Sequence, residues 1–373
     1  MAGIYIHVPF CKQACHYCDF HFITSLKYKN ELLQSLRKDI SLQKNYLAGE
    51  TVETIYFGGG TPSLLNADDI NLLIGTIAGL HAVSAEAEIT LEANPDDLNK
   101  EKLQSLRQTD VNRLSIGIQS FFDDDLQWMN RVHRGKEAEV SVKRAQDIGL
   151  ENLTVDLIYG YPLLSDQKWK YNLEKVFELG IPHVSSYSMT IEPKTALASF
   201  IKNKKQQAMD DEQSAKQFIL LMDSMQSHGF EHYEISNFCK PGHYSRHNSN
   251  YWKGVKYLGI GPSAHSYDGE TRQWNIANNA KYIQSLETGK IPAETELLTE
   301  ANRLNEYIMT SLRTMWGLNL GKLDIIAAGA SDQLLIAARR FFDDQWIEQK
   351  DDVIYLTKTG KLYADNVASG LFF

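Results

Sequence analysis

Apolar positions in the first 190 residues come in short runs, and each run is followed by a longer stretch in which apolar positions recur at helical spacing. We interpret the runs as β-strands at residues 4–10, 54–60, 88–94, 113–119, 153–160 and 183–190. Several are apolar on both faces, as strands are when helices cover both sides of a parallel sheet. Six such β/α units predict an α/β fold whose parallel sheet curves into a partial, TIM-like (β/α)6 barrel.

The pattern changes after about residue 200. One long helix is predicted to end at Gly229, and residues 232–238 have the composition of a further strand. The chain then becomes mostly helical, and residues 346–372 predict a short hairpin followed by a helix, as in winged-helix-like units. We therefore expect two domains: a barrel over 1–270 and a small, mostly helical, winged-helix-like domain over 271–373.

Composition narrows the class of protein. The chain of 373 residues is 43% hydrophobic and 23% charged, which is ordinary for a globular protein. Its net charge of -9 argues against general nucleic-acid binding, which needs a basic footprint. No apolar run approaches the length of a membrane span, and the first residues lack the features of a signal peptide. We expect a cytoplasmic protein, in which disulfides are rare and clustered cysteines are typical metal ligands or redox groups.

Three of the four cysteines lie together, directly after the first predicted strand. Cys11, Cys15 and Cys18 have the spacing CxxxCxxC, which allows three thiolates to point at one centre. Structural zinc takes four protein ligands, whereas three thiolates leave one position open and suit a [4Fe–4S] cluster. Two alternatives stay open, a zinc site completed by a nearby histidine (His7, His16 or His21) and a closed cluster completed by Cys239.

Further polar and glycine residues stand where the predicted strands end, which is where βα-loops build sites in parallel barrels. Gly59, Gly60 and Thr61 stand at the end of the second strand, and glycine there lets the backbone approach a ligand closely. Their structural alternative is a simple tight turn. Glu92 ends the third strand and could equally be a solvated carboxylate.

Three more candidates follow the same rule. Gln119 ends the fourth strand, Arg131 follows it, and Asp156 lies within the fifth. A buried aspartate needs a partner, so Arg131 could serve Asp156 purely as an ion-pair partner. Tyr5 precedes the cysteines and could be a core tyrosine.

These motifs together resemble a known family. The segments "YIHVPFC", "YCDF", "YFGGGTPS", "RLSIGIQSF", "VDLIYG" and "GIGPSAHSY" occur in this order and span essentially the whole chain. They are similar to the coproporphyrinogen dehydrogenase group of radical S-adenosylmethionine (SAM) proteins. The resemblance implies that the open iron of the cluster chelates SAM, whose reductive cleavage gives a 5′-deoxyadenosyl radical.

The resemblance also implies roles for individual residues. Tyr5, Gly59 and Glu92 would contact the SAM bound at the cluster. A second set would line a further SAM or a substrate-side site, as in the oxidase of this family: Tyr17, Gly60, Thr61, Gln119, Arg131 and Asp156.

Within the family, the chain resembles the HemW-type haem chaperones more than the oxygen-independent coproporphyrinogen III oxidase. The oxidase pattern continues to a further cysteine where this chain has Phe20, and it carries an N-terminal extension that we do not see here. The motif HNxxYW resembles the haem-binding motif of HemW: His247, Asn248, Tyr251 and Trp252. An imidazole can ligate haem iron and aromatic rings can stack on a porphyrin. His265 and Cys239 are weaker haem candidates.

Two functions follow from the resemblance. The first is a haem chaperone that binds one [4Fe–4S] cluster, SAM and haem as cargo, and delivers the haem to apo-haemoproteins, with a homodimer and an electron donor as further expectations. The second is the oxidase, in which Arg131 or Arg134 would pair with a propionate of the porphyrinogen. Radical SAM chemistry on another substrate is a third. The sequence assigns no catalytic residue for the first function.

Overall fold

Six parallel strands form the centre of the molecule, in a computed structural model that describes residues 1–373. They are β1 (Ala2–Val8), β2 (Val52–Gly59), β3 (Val83–Ala93), β4 (Arg113–Gln119), β5 (Leu153–Tyr159) and β6 (His183–Ser188). Each strand pairs in parallel with the next, from β1 to β6. The expected α/β architecture with a partial barrel is confirmed.

Helices connect these strands and cover the sheet. They are α1 (Lys29–Leu42), α2 (Ala67–Ala78), α3 (Lys100–Leu106), α4 (Asp123–Trp128), α5 (Gly135–Asp147) and α6 (Asp166–Glu178). After β6 come α7 (Ala196–Lys202) and α8 (Asp211–Ser227), the long helix expected to end near Gly229. Gly229 has a φ of +71°, the left-handed conformation that commonly follows a helix.

The sheet continues beyond the six strands on both sides. The added elements are β7 (Glu231–Glu234), β8 (Asn237–Cys239), α9 (Arg246–Trp252), β9 (Lys256–Ile260), β10 (His265–Tyr267), β11 (Thr271–Asn275), α10 (Asn279–Glu287) and β12 (Ala293–Leu297). The strand order is β12-β11-β10-β9-β1-β2-β3-β4-β5-β6-β8-β7. β9 pairs in parallel with β1, so a seventh strand extends the parallel part of the sheet, a strand that the sequence pattern did not predict.

The single strand predicted over 232–238 is instead the hairpin of β7 and β8. The side chain of Glu234 accepts hydrogen bonds from the backbone N–H of Ser236 at 3.0 Å and from Nδ2 of Asn237 at 2.6 Å. A buried carboxylate that captures both groups turns the chain within two residues.

The carboxyl-terminal residues build a smaller unit with its own core. Its elements are α11 (Glu300–Leu312), β13 (Leu318–Asn319), α12 (Leu320–Ile326), α13 (Ala330–Asp343), β14 (Ile347–Lys350), β15 (Val353–Leu356) and α14 (Ala364–Ser369). The order of its sheet is β13-β15-β14, and the expected hairpin plus helix is present. Its buried apolar cluster extends from Leu304 to Leu371, while the main sheet runs to Leu297. The domain division at residue 270 stays a prediction.

Apolar side chains of the strands and helices form the main core. In β1, Ala2, Ile4, Ile6 and Val8 are at most 1% exposed. None of the helices has both the length and the apolar composition needed to cross a membrane.

Candidate functional site

The cysteine loop follows β1 and is tied at its base. The N–H of Cys11 donates to the carbonyl of Ile23 at 3.0 Å, and the N–H of Ile23 donates to the carbonyl of Pro9 at 2.8 Å. On its other side, Nδ2 of Asn130 donates to the carbonyl of Ala14 at 2.7 Å. The loop is therefore held against the segment that follows β4, at the carboxyl ends of the barrel strands.

All three thiols of the loop are free and partly buried. Oγ1 of Thr61 donates to Sγ of Cys11 at 3.5 Å, and Nη1 of Arg131 donates to Sγ of Cys15 at 3.4 Å. Burial raises the pKa of Cys11, and burial raises the pKa of Cys18 to about 12. The negative charge of a thiolate at these positions must be stabilised against burial. A hydroxyl donor, a guanidinium and bound iron would supply that stabilisation.

The donor set fits an iron–sulfur cluster better than a single ion. No three His, Cys, Asp or Glu side chains are arranged to hold one metal ion. In a four-iron cluster each thiolate binds a different iron, so such ligands need not meet at one point. The residues that fit the cluster are Cys11, Cys15 and Cys18.

The histidines offered as zinc ligands have other partners. Nε2 of His7 lies 2.8 Å from the carbonyl oxygen of His21, and Nδ1 of His16 lies 2.9 Å from that of Trp128. Nε2 of His21 lies 2.6 Å from Oδ1 of Asn279. Cys239 is buried in β8 opposite His183, at the amino end of β6 and away from the loop. The structure thus gives neither alternative a fourth ligand beside the three thiols.

The glycine turn after β2 packs directly on the cysteine strand. The N–H of Gly60 donates to the carbonyl of Val8 at 2.9 Å, and the N–H of Thr61 donates to that of Phe10 at 2.6 Å. A Cβ on Gly60 would lie 2.6 Å from the Phe10 carbonyl oxygen. Gly59 has a φ of +107°, and a Cβ there would lie 2.6 Å from the ring of His7. Both glycines are required by this close approach.

Glu92 lies beside this turn at the end of β3. Its Oε1 accepts from the hydroxyl of Tyr56 at 2.8 Å, and its Oε2 accepts from the N–H of Gly59 at 3.2 Å. Desolvation inside the barrel, together with a smaller contribution from the carboxylate of Asp156, raises the pKa of Glu92 to about 7. A cationic ligand at this point would favour the charged carboxylate.

Tyr5 stands on β1 next to the same acid. Its ring stacks on Tyr56 with 6.1 Å between centroids, and its hydroxyl lies 3.2 Å from Nδ1 of His7. Because Nε2 of His7 donates to a carbonyl, Nδ1 accepts the proton of Tyr5. Burial lowers the pKa of His7 to about 4, so this ring is neutral. Tyr5, Gly59 and Glu92 therefore line one corner of the barrel mouth.

Arg131 connects several of the second set of residues. Its Nη2 donates to Oδ1 of Asn94 at 2.6 Å and to the carbonyl of Gly117 at 2.8 Å. Nδ2 of Asn94 donates to Oγ1 of Thr61 at 3.2 Å. Asn94 therefore connects Thr61, which donates to Cys11, with Arg131, which donates to Cys15. Tyr17 lies beside Arg131, and the proximity of Tyr17 helps to raise the pKa of Arg131 against its desolvation.

Gln119 is the last residue of β4, and Asp156 lies within β5. Gln119 adopts a φ of +67°, a conformation that side chains other than glycine rarely take and that clusters at functional sites. The expected ion pair of Arg131 with Asp156 does not form. Asp156 instead accepts from Oγ of Ser115 at 3.4 Å, and desolvation raises its pKa to about 6. It lines an interior cavity of about 50 Å³ together with Glu92.

The HNxxYW segment forms α9 at the amino ends of the strands. The N–H groups of Arg246 and His247 donate to Glu88 at 3.1 and 3.0 Å. Nδ1 of His247 lies 2.9 Å from Oγ1 of Thr54, and its ring stacks on Tyr56 with 5.0 Å between centroids. Burial lowers the pKa of His247 to about 4. α9 is thus attached to the inner wall of the barrel.

The four residues of the motif do not share one surface. His247 and Asn248 face the barrel interior, where the cavity of about 50 Å³ is far smaller than a porphyrin. Tyr251 and Trp252 line a cleft of about 620 Å³ between the barrel and the carboxyl-terminal unit. The assignment of His247 and Asn248 to haem stays a prediction that this arrangement does not favour. His265 lies in β10, with its ring 6.4 Å from that of Trp274.

Sequence reasoning missed three residues of the site. Tyr56 and Asn94 bridge predicted members, and each stands beside a quoted motif, before "GGG" and within "ANP". Arg113 is 1% exposed and donates to Oδ1 of Asn152 at 2.6 Å and to Oγ1 of Thr154. An arginine that opens an otherwise buried strand was the available signal.

Known proteins are similar to this chain over most of its length. A family model described as the Radical SAM superfamily matches residues 5–176. The heme chaperone HemW of Bacillus subtilis is 34% identical, over 98% of this chain and 98% of its own length. The heme chaperone HemW of Mycobacterium tuberculosis is 33% identical, over 99% of this chain and 94% of its own length. That of Escherichia coli is 36% identical over 70% of this chain and 69% of its own.

One solved structure has the same fold throughout. The coproporphyrinogen III oxidase HemN from Escherichia coli, described as a radical SAM enzyme, superposes with a TM-score of 0.86. The match covers 100% of this chain and 90% of that protein at 22% sequence identity, so it bears on the fold alone.

Proposed function

Because the chain belongs to the HemW family of radical SAM proteins, we propose that it binds a [4Fe–4S] cluster and SAM at the cysteine loop and carries haem to other proteins. The observation that carries the cofactor part is the pair of donors aimed at sulfur. Thr61 and Arg131 point at Cys11 and Cys15, and Asn94 joins the two donors.

Each group would have its own residues. Cys11, Cys15 and Cys18 would hold the cluster, which when bound supplies an iron without a protein ligand for the amino and carboxylate groups of SAM. Tyr5, Gly59 and Glu92 would hold SAM, because a carboxylate and a close backbone lie together there. The remaining residues would line the substrate side of the same mouth: Tyr17, Gly60, Thr61, Gln119, Arg131 and Asp156.

Haem would be the cargo, and α9 would be its attachment point. Tyr251 and Trp252 offer aromatic surface to a cleft large enough for a porphyrin. His247 and Asn248 belong to the same seven-residue helix, so their loss would displace it even without direct contact. Acceptor apo-haemoproteins, an electron donor and a homodimer are parts of this proposal. A cytoplasmic location rests on the free clustered thiols.

The proposal is tested by titrating haem into the protein with its cluster reconstituted anaerobically, followed by the Soret band, beside His247→Ala. We expect saturable binding near one haem per chain and weaker binding by the variant. Transfer from the loaded protein to an apo-haemoprotein, read as recovery of that protein's activity, tests delivery. Absence of saturable binding would refute the chaperone role.

The alternative is the oxidase. Its support is the fold shared with HemN, while Phe20 stands where the oxidase pattern has a cysteine and is 68% exposed on the loop. Decarboxylation of coproporphyrinogen III by the reconstituted protein with SAM and a reductant would establish it. We expect no product.

A further inference from the structure

A cleft of about 620 Å³ lies between the barrel and the carboxyl-terminal unit, away from the cysteine loop. α9 and β9 supply one side of it, and α11 and α12 supply the other. A cavity of this size is in the range that encloses a ligand of porphyrin dimensions. Its position at the amino ends of the strands separates it from the proposed SAM site, which is formed by Tyr5, Gly59 and Glu92.

The walls of the cleft are aromatic. The rings of Tyr251 and Tyr257 lie 5.5 Å apart, and that of Tyr267 lies 6.3 Å from Tyr257. Trp252 packs edge-on against Tyr251 with 5.2 Å between centroids, and Trp316 lies on the facing side. Tyr251 is 48% exposed although it is a large ring. Such surfaces favour a flat aromatic ligand that can stack on them.

The rim of the cleft is cationic in a chain whose net charge is -9. Lys253, Arg303 and Lys322 line it, and none forms an ion pair with a carboxylate. The acid of the lining, Glu306, is already paired with Arg272 at 2.8 Å. Nζ of Lys253 lies 4.0 Å over the ring of Trp316, which keeps the charge at the aromatic wall. Unpaired cations beside aromatic rings indicate an anionic partner.

The lining contains no histidine, cysteine or methionine. A ligand would therefore be held by its flat face and by its carboxylates, and any iron in it would find only phenol oxygens as side-chain ligands of the kind used for haem. This differs from recognition through the imidazole of His247, which packs against Thr54 and Tyr56 of the barrel strands and does not line the cleft.

We infer that this cleft binds a flat aromatic dicarboxylate of porphyrin size through its aromatic walls and its rim cations, independently of iron ligation by His247. The inference rests on the proposed function for the identity of the natural ligand, haem. It specifies what that function leaves open: which surface holds the ring and which groups hold the carboxylates.

The test compares three probes on the full-length protein: hemin, metal-free protoporphyrin IX, and protoporphyrin IX dimethyl ester. Binding is followed by the Soret band of hemin, by porphyrin fluorescence and by quenching of tryptophan fluorescence. We expect hemin and the metal-free diacid to bind with similar affinity and the uncharged ester to bind at least about tenfold more weakly, because it loses the charge contacts.

The variants separate the cleft from other surfaces. Lys253→Gln with Arg303→Gln should weaken both diacids about tenfold, from the loss of two charge contacts. The matched control, Lys170→Gln with Lys281→Gln, removes two exposed cations outside the lining and should bind as the natural protein does. Circular dichroism verifies that both variants are folded.

The outcomes distinguish the two proposals. If hemin binds and both double variants bind it equally well, the cleft inference is wrong and the chaperone function stands. Tight binding of hemin that is lost for the metal-free diacid would also overturn the inference, since it would show that iron ligation dominates. If the metal-free diacid binds in the cleft and hemin does not, the chaperone proposal fails and the inference holds. If no probe binds, both fail.

Discussion

The imidazole of His247 stacks on the ring of Tyr56 with 5.0 Å between their centroids, and the hydroxyl of Tyr56 donates to Glu92 at 2.8 Å. One tyrosine therefore joins the helix that lines the cleft to Glu92, the acid of the proposed SAM site. The two proposed sites lie at opposite ends of the barrel strands, yet only one side chain separates their supporting residues.

This contact predicts an effect of His247 on SAM affinity. His247→Ala removes the stack and leaves Tyr56 free to tilt away from Glu92. We expect SAM to bind up to about tenfold more weakly, because that factor corresponds to the energy of one aromatic pair. His247→Phe keeps the ring and should retain most of the affinity. Isothermal titration of SAM into the reconstituted protein measures both. Equal affinity in all three proteins would show that the stack does not position Glu92.

Three of the four cysteines should be required for the cluster. Cys11→Ala, Cys15→Ala and Cys18→Ala should each abolish the cluster, while Cys239→Ala, in the buried strand β8, should retain about four iron atoms per chain. Iron content and visible absorbance after anaerobic reconstitution measure this. Loss of the cluster in Cys239→Ala would refute a site with three protein ligands.

Gly60 should tolerate no side chain. A Cβ there would lie 2.6 Å from the Phe10 carbonyl oxygen, so Gly60→Ala should push the β2 turn off the cysteine strand and lower the iron content of the reconstituted protein. Gly75→Ala is the matched control, because no heavy atom lies within 4 Å of its Cβ inside α2. That change should raise the free energy of unfolding by up to about 1 kcal/mol and leave the iron content unchanged. Normal iron content in Gly60→Ala would contradict the close-approach argument.

The raised pKa of Glu92 predicts a pH dependence of stability. Its folded-state value of about 7 lies above the ordinary 4.5, so the folded protein binds this proton more tightly than the unfolded chain does. The resulting stability is complete below about pH 4.5 and is lost as the pH rises through 7. The side chain in Glu92→Gln stays neutral, so this variant should lack the part of the decrease in unfolding free energy that Glu92 causes as the pH rises.

Urea unfolding of the protein without its cofactors, repeated between pH 4.5 and 8, measures the free energy of unfolding. Asp156→Asn is the companion variant, because the raised pKa of Asp156, about 6, produces a separate fall at lower pH. A Glu92→Gln profile that parallels the natural protein would show that Glu92 titrates normally.

The ion pair of Arg313 with Glu234 joins the carboxyl-terminal unit to the main sheet and should contribute strongly to stability. Its Nε donates to Oε1 of Glu234 at 3.2 Å, and Glu234 is 2% exposed. Arg313→Gln leaves that carboxylate without its cation and should lower the free energy of unfolding by about 3 kcal/mol. Lys216→Gln breaks the exposed pair with Glu212 and should cost less than about 0.5 kcal/mol. Urea unfolding compares them, and equal losses would contradict the argument.

The local pattern predicted much of the barrel and the cysteine loop. The strand predicted at 113–119 is β4 to the residue, because a run buried on both faces has a clear composition. β9 was missed because a five-residue strand shows its role only through its pairing with β1, which local periodicity does not encode. The hairpin at Glu234 was read as one strand because its turn depends on a buried side chain.

The sequence also placed His247 and Tyr251 in one motif, and their spacing puts them on the same side of a helix. They are nevertheless separated along its axis by about 6 Å. In a helix of seven residues that distance suffices for His247 to reach the strands while Tyr251 reaches the cleft. Only the three-dimensional arrangement shows this division.

The pairing of β1 with both β2 and β9 also constrains how the protein is made. β1 leaves the ribosome about 250 residues before its partner on one side, Lys256–Ile260. Until synthesis reaches that point, the strand that precedes the cysteines has one edge open, and a strand edge is a template for wrong pairing. Assembly of the cysteine loop on its final scaffold is therefore a late event, and the nascent chain depends on protection of that edge while the rest is translated.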